Sequence, residues 1–236
     1  FLISTALSCS LIPNKQPQSN APQVDVYANT KGEAHVFLGA NTPLGCIQIG
    51  PQTRGASTAP GYNYNDSIIT GFILSYSDEH EDTIAMLCEG IRFFPSTKHE
   101  HEAKFYHKFE VAKLGYYSIF MHETDIAVEL TATKNTVFQR YFFPQMDSVQ
   151  VVVDQRLTSI NDSTVTGKTE NLYFIIEISR PFIDVVSENG KDTKLFFDAT
   201  EEEMLYIKVG VSKNSQEEAN THIENELSDW DYEQAT

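Results

Sequence analysis

The sequence predicts an all-β domain, an antiparallel sandwich or barrel, followed by one C-terminal helix. Three observations carry this prediction. Short runs rich in β-branched and aromatic residues recur at near-regular spacing, as they do in antiparallel folds. Turn signals fall between the runs: Phe143-Pro144, Asn161-Asp162, Arg180-Pro181 and Glu188-Asn189-Gly190. Helical spacing of apolar residues behind a start signal is clear in only one place, after residue 214. With 236 residues, 41% of them hydrophobic, the chain can build a substantial core as one large domain or two small ones.

Taken in order, residues 1–22 read as the remnant of a signal segment followed by a polar linker carrying Pro13, Pro17 and Pro22. A small residue before Cys9 and a polar stretch after it resemble a bacterial lipoprotein cleavage site. Cys9 is therefore the expected lipidation site, with ordinary secretion as the alternative; a lipid would hold the protein to a membrane surface without spanning it. Residues 23–213 form the β domain. Within it, residues 31–72 hold seven of the chain's twelve glycines, a density expected of a segment that turns repeatedly. His35, Phe37, Asn41, Gln48, Arg54, Tyr62, Asn63, Tyr64 and Asp66 are interleaved with them. Aromatic faces beside amides and carboxylates suit a sugar ring; the alternative is a set of tight turns with the tyrosines packing locally.

Strands are predicted at 117–121, 125–132, 136–143, 148–154, 172–179, 194–197 and 204–211. In the second, Ile126, Val128 and Leu130 share one face, and Ala127, Glu129 and Thr131 the other. Residues 214–236 carry the helix. Ser215 and Glu218 form a capping box, Ala219, Ile223 and Leu227 a stripe, and Trp230 and Tyr232 an aromatic tail. The helix is either a connector to a further domain or a segment that folds back on the sandwich. Exposure of Ile223, Leu227 and Trp230 would ask for a partner domain; burial would mean the chain is self-sufficient.

The formal net charge of −16 repels phosphate backbones and anionic lipid, which excludes a nucleic-acid partner. Three cysteines give no disulfide framework, and Cys46 and Cys88, in apolar runs, are expected as buried free thiols. No apolar run approaches the ~20 residues of a membrane-spanning helix. Asp78, Glu79, His80, Glu81 and Asp82 form the densest acidic cluster, read as a solvated loop. His99, His101 and His107 sit close together in KHEHEAKFYHKF, and His99 and His101 would share a strand face and invite zinc. However, no third ligand is marked by spacing, and Lys98, Lys104 and Lys108 crowd the region, so an exposed charged edge strand is expected and no metal. The chain has no glycine-rich phosphate loop, nucleophile elbow or CxxC pair.

Several blocks in fixed order, HVFLGANTPLGCIQIGPQTR, GYNYNDSIITGF, KLGYYSIFM, DIAVELTATKNTVFQRYFFP and the run from LYIKVGVSKNSQEE onward, resemble the N-terminal region of glycoside hydrolase family 92, the bacterial exo-acting α-mannosidases. The resemblance implies a supersandwich of galactose-mutarotase type. It also implies a cell-envelope location, periplasmic or surface-exposed, a mannose-containing glycan as substrate, and a partner (α/α)6 catalytic domain packing on the sandwich and the linker helix. That barrel would carry the acid, the base and a calcium ion of an inverting hydrolase, so this chain alone is expected to hold no catalytic residue, no cofactor and no activity. The residues matching the family's pocket loops are Gly32, His35, Tyr62, Asn63, Tyr64 and Asp66. Departures are visible too: Glu33 and Ala34 replace part of a histidine- and glycine-rich run, and GASTAPGYNYND lacks the usual tryptophan and cysteine. The same resemblance leaves two alternatives, a stand-alone carbohydrate-binding surface lipoprotein and a mutarotase-type enzyme. The latter would need a histidine and a glutamate converging in one cleft.

Overall fold

The computed structural model describes residues 25–31, 37–43, 45–54, 61–77, 90–98, 100–188, 190 and 192–236. Their strands are β1 (Ala40–Asn41), β2 (Ile47–Thr53), β3 (Ile68–Tyr76), β4 (Ile91–Ser96), β5 (Ala103–Lys113), β6 (Tyr116–Met121), β7 (Ile126–Ala132) and β8 (Thr136–Phe142). They continue with β9 (Val149–Val153), β10 (Leu157–Ile160), β11 (Thr164–Lys168), β12 (Tyr173–Ile178), β13 (Asp184–Glu188), β14 (Asp192–Phe197) and β15 (Met204–Ser212). One helix follows, α1 (Gln216–Glu226).

All pairings are antiparallel. One sheet runs β1-β2-β3-β4-β9-β14-β13 and the other β10-β11-β12-β15-β8-β7-β6-β5. The start of β5 joins them, because Ala103 and Lys104 pair with Ile69 and Ile68 of β3. The sheets stack face to face, β2 lying across β7 and β8, and this settles the architecture as a sandwich. Inward residues of both sheets share one core that includes Phe72, Phe93, Phe105, Tyr117, Tyr141, Phe174 and Phe197, all under 2% exposed. Each such ring contributes on the order of 2–3 kcal/mol by leaving water. In β7, Ile126, Val128 and Leu130 are buried as the alternation predicts, and Thr131 on the other face is buried too.

The glycine-rich stretch departs from the expectation of repeated turns. It contains β2 and most of β3, which pair along almost their whole length. Gly50 is there for close packing: a Cβ on it would meet the Leu38 carbonyl oxygen at 2.0 Å. β5 ends its sheet as the expected exposed edge strand does: beyond Lys104 it pairs with β6 alone, and only Ala103 and Lys104 at its start also pair with β3. Cys46 is a free thiol but only partly buried. Cys9, Cys88, His99 and the acidic run 78–82 lie outside the described residues.

The helix folds back on its own sandwich. Ala219, Ile223 and Leu227 are 0%, 2% and 5% exposed, and only Trp230, at 38%, faces water. Along β12, Phe174 and Ile176 point into the core, so Ile175 points outward, and it packs under Ala219 and Ile223. Gly210 of β15 lets the helix approach: a Cβ there would sit 2.3 Å from the Ala219 carbonyl oxygen. Leu227 and Tyr232 close over Phe138 of β8. Of the two readings of the helix, the stripe thus follows the one in which this chain's own strands cover it. Ser215 caps the helix by accepting from the Glu218 amide at 3.1 Å. Glu218 does not complete a capping box; its carboxylate accepts from the Ser212 hydroxyl and the Asn214 amide instead.

Candidate functional site

The site begins with a defect in β5. Phe105 faces Met121 on β6, but the next registered pair is Glu110 with Ile119, so five steps along β5 are met by two along β6. The surplus residues form a bulge, and their odd number reverses the side-chain alternation beyond it. Glu110, which would otherwise face out, turns inward to 8% exposure, while Phe109 and Val111 turn out to 43% and 42%. Tyr106 and Phe109 stand on the outside around His122, with ring centroids 4.7 and 5.2 Å away.

The Glu110 side chain has no exposed surface, so its charge is compensated entirely by donors. Tyr62 donates to Oε2 at 2.8 Å, Tyr117 of β6 donates to Oε1 at 2.7 Å, and His107 Nδ1 lies 2.8 Å from Oε2. With Tyr62 and Tyr117 donating to its oxygens, the Glu110 carboxyl acts as the acceptor, so Nδ1 of His107 carries the hydrogen of this contact, and Nε2 has no partner among the described residues. Burial, reinforced by the Glu110 charge, pushes the phenols of Tyr62 and Tyr117 far above their ordinary value. Tyr27 is pushed to about 12 by the same two causes in the same order.

Around this buried group lies a cleft of about 590 Å³ lined by Asp25, Tyr27, Ala28, Asn29, Lys31, Tyr64, His107 and Glu110. One wall is the turn at residues 25–30. There Asp25 accepts from the Tyr27 amide at 3.0 Å, and Asn29 adopts a positive φ of 63°, a conformation asparagine tolerates. The Tyr64 amide donates to the Thr30 carbonyl at 2.9 Å and fixes the opposite wall. The Tyr64 ring stacks on His107 with centroids 4.0 Å apart and planes 5° from parallel. Lys31 Nζ lies 4.6 Å from the centre of the same ring. His107 occupies one face, so Lys31 takes the other, and Tyr64 offers the cleft its edge rather than a stacking face.

Of the residues expected to bind a sugar, Tyr64 alone among the described ones lines this cleft. Tyr62 is fully buried and serves the wall behind it. Asn63 and Asp66 build the turn into β3: the Asn63 amide donates to the Thr53 hydroxyl, its side-chain oxygen accepts from the Asn65 amide, and its carbonyl accepts from the Asp66 amide. Gly32 and His35 lie outside the described residues. Glu110 and the turn residues Asp25, Tyr27, Asn29 and Lys31 escaped the sequence reading, and His107 stood out there only as a member of a histidine cluster weighed for metal. The signal for Glu110 was a conflict: strict alternation through FYHKFEV would bury Phe109 and expose Glu110. A histidine and a glutamate do converge in one cleft, although nothing in their spacing marked them as a pair. Among the described residues no three His, Cys, Asp or Glu side chains converge to hold a metal ion.

A protein-family model described as the glycosyl hydrolase family 92 N-terminal domain matches residues 23–221. No curated protein matches the chain. Among solved structures, the family GH92 alpha-mannosidase BT3965 from Bacteroides thetaiotaomicron superposes with a TM-score of 0.74 at 20% identity, over 90% of this chain and 35% of that one. The family GH92 inverting mannosidase BT2199 from Bacteroides thetaiotaomicron VPI-5482 gives 0.72 at 21% identity, over 86% and 32%. The GH92 family glycosyl hydrolase ccman5 gives 0.71 at 21% identity, over 90% and 35%. The chain belongs to the glycosyl hydrolase family 92 N-terminal domain family and spans about a third of the length of the structures it matches.

Proposed function

We propose that this family 92 N-terminal domain is the accessory, substrate-pocket part of an exo-acting α-mannosidase that removes terminal α-mannose with inversion, and that it is inactive by itself. The observation that carries this reading is a disproportion. The family match runs over residues 23–221, yet the matched mannosidases extend to about three times this span. Inversion needs two carboxyl groups roughly 6.5–9.5 Å apart, one protonating the leaving oxygen and one activating water. Glu110 cannot take either part, because Tyr62, Tyr117 and His107 engage it and it has no exposed surface. The reading assigns the acid and base to an (α/α)6 domain docked on the sandwich, as the family resemblance implies. Because the helix stripe is already covered, that domain would use other surfaces. Carbohydrate binding, a cell-envelope location and lipidation at Cys9 belong to the same proposal.

The test is hydrolysis of an aryl α-mannoside and of α-linked mannobiose by this chain with calcium supplied. No release of mannose is expected. Turnover by the pure chain would overturn the reading.

Two observations favour other readings. The buried helix stripe supports a domain that folds unaided, as a stand-alone sugar-binding surface lipoprotein would. The His107–Glu110 pair supports a mutarotase-type reaction, but only His107 has surface open to the cleft, so the pair presents one titratable group and not two. Polarimetry of freshly dissolved α-D-mannose tests the second: equilibration at the uncatalysed rate is expected.

A further inference from the structure

We propose that His107 is the ligand-reading group of the cleft, its free Nε2 hydrogen-bonding a hydroxyl of a neutral hexopyranoside, with Glu110 as the positioning residue behind it. This rests on the carbohydrate-binding reading above. The argument for a neutral polyol comes from the lining. Asp25 and Glu110 are carboxylates, Lys31 is the one ammonium, and Tyr27 stays protonated far into the alkaline range, so an anion gains little there. Both faces of Tyr64 are taken, by His107 and by Lys31, so Tyr64 offers a ligand no stacking face, and at the His107 wall recognition falls to hydrogen bonds. The volume of about 590 Å³ lies in the range of small-ligand sites and holds one sugar ring with room for its hydration.

The imidazole is placed for that work from three sides. Glu110 holds Nδ1 at 2.8 Å, Tyr64 lies flat against the ring at 4.0 Å, and Phe105 meets it edge-on at 5.0 Å. The side chain nonetheless keeps 28% of its surface open, and Nε2 has no protein partner among the described residues. A ring held at Nδ1 by a buried carboxylate presents its Nε2 in a fixed direction. A sugar hydroxyl, which both donates and accepts, fits such a nitrogen.

The experiment is a titration of the whole chain with methyl α-D-mannopyranoside, followed by the imidazole nitrogen resonances of His107 and by calorimetry. The wild-type chain is expected to show Nδ1 protonated, with the Nε2 resonance shifting as the sugar is added. His107→Ala should bind at least tenfold more weakly, and His107→Gln, which keeps a donor toward Glu110, should recover part of the binding and keep a melting temperature nearer the wild type. Glu110→Gln should mix the two tautomers and weaken binding while the fold is kept, a combination that a purely structural role would not give. Sugar binding unchanged in His107→Ala would overturn the role of His107 and leave the carbohydrate reading standing. Absence of binding by the wild-type chain would remove both. A wild-type His107 whose Nδ1 carries no proton would overturn the proposal whatever the variants do.

Discussion

Lys208 and Glu110 are both charged side chains buried in the same sheet, at 2% and 8% exposure, and they end in different company. Lys208 of β15 donates to the Leu227 carbonyl at 2.7 Å, at the C-terminal end of α1, where a cation is favoured. The faces of Trp230 and Phe138 cover it, with ring centres 4.1 and 5.8 Å away. Burial lowers its pKa, and the structure accepts that penalty for a closed lock between helix and sheet. Glu110 has hydrogen-bond donors on both oxygens, but one of them, His107, opens into a cleft. A buried charge whose last partner is a backbone carbonyl under aromatic rings stabilises the fold. One whose last partner is a half-exposed imidazole transmits its orientation to whatever enters the cleft.

The comparison predicts unequal costs. Glu110→Ala strands two buried phenols and the His107 N–H at once, and should lower unfolding free energy by about 3–5 kcal/mol in urea titration. Lys208→Met keeps an apolar stem against Phe138 and Trp230 and loses one hydrogen bond, so about 1 kcal/mol is expected by the same measurement. Equal losses would mean that both charges serve packing alone.

A smaller effect lies at alkaline pH. Tyr27 at the cleft is held at about 12 by burial and the Glu110 charge, and Tyr116 at about 12 by burial and its hydrogen bond to Glu129. Their folded values lie above the ordinary 10.0. The stability they confer is therefore complete below pH 10 and is lost as pH rises through about 12. Tyr27→Phe should make the fall in stability between pH 10 and 12 shallower in denaturation series. A fall as steep as in the wild type would contradict the assignment of Tyr27 to the charged cluster.

Much of the fold was legible because it obeys period-two and period-3.6 patterns. Ile126, Val128 and Leu130 face the core as their alternation demands, and Ala219, Ile223 and Leu227 bury as their spacing demands. What the stripe packs against was not legible: the outward face that Ile175, Phe138 and Gly210 offer exists only once β8, β12 and β15 are adjacent, and those strands are distant in sequence. The glycines of residues 31–72 misled in a different way. Gly50 marks backbone crowding between paired strands, and composition cannot separate that from turning. The candidate site was hidden by the bulge. Three inserted residues reverse the face of everything after Phe105, so Glu110 looks like a surface residue and Phe109 like a core one until the register with β6 is known. Tyr62 stood out as an aromatic beside a glycine, but its hydroxyl serves Glu110 and not a ligand.

One nitrogen–proton spectrum recorded during a titration with methyl α-D-mannopyranoside tests the central claim directly, because both regions carry a reporter. Trp230, the chain's one tryptophan, reports on the lock through its indole, and His107 reports on the cleft. The account predicts that His107 resonances move with added sugar while the Trp230 indole stays in place. Movement at Trp230 with His107 unchanged would contradict it, and would transfer the ligand site to the helix-covered face.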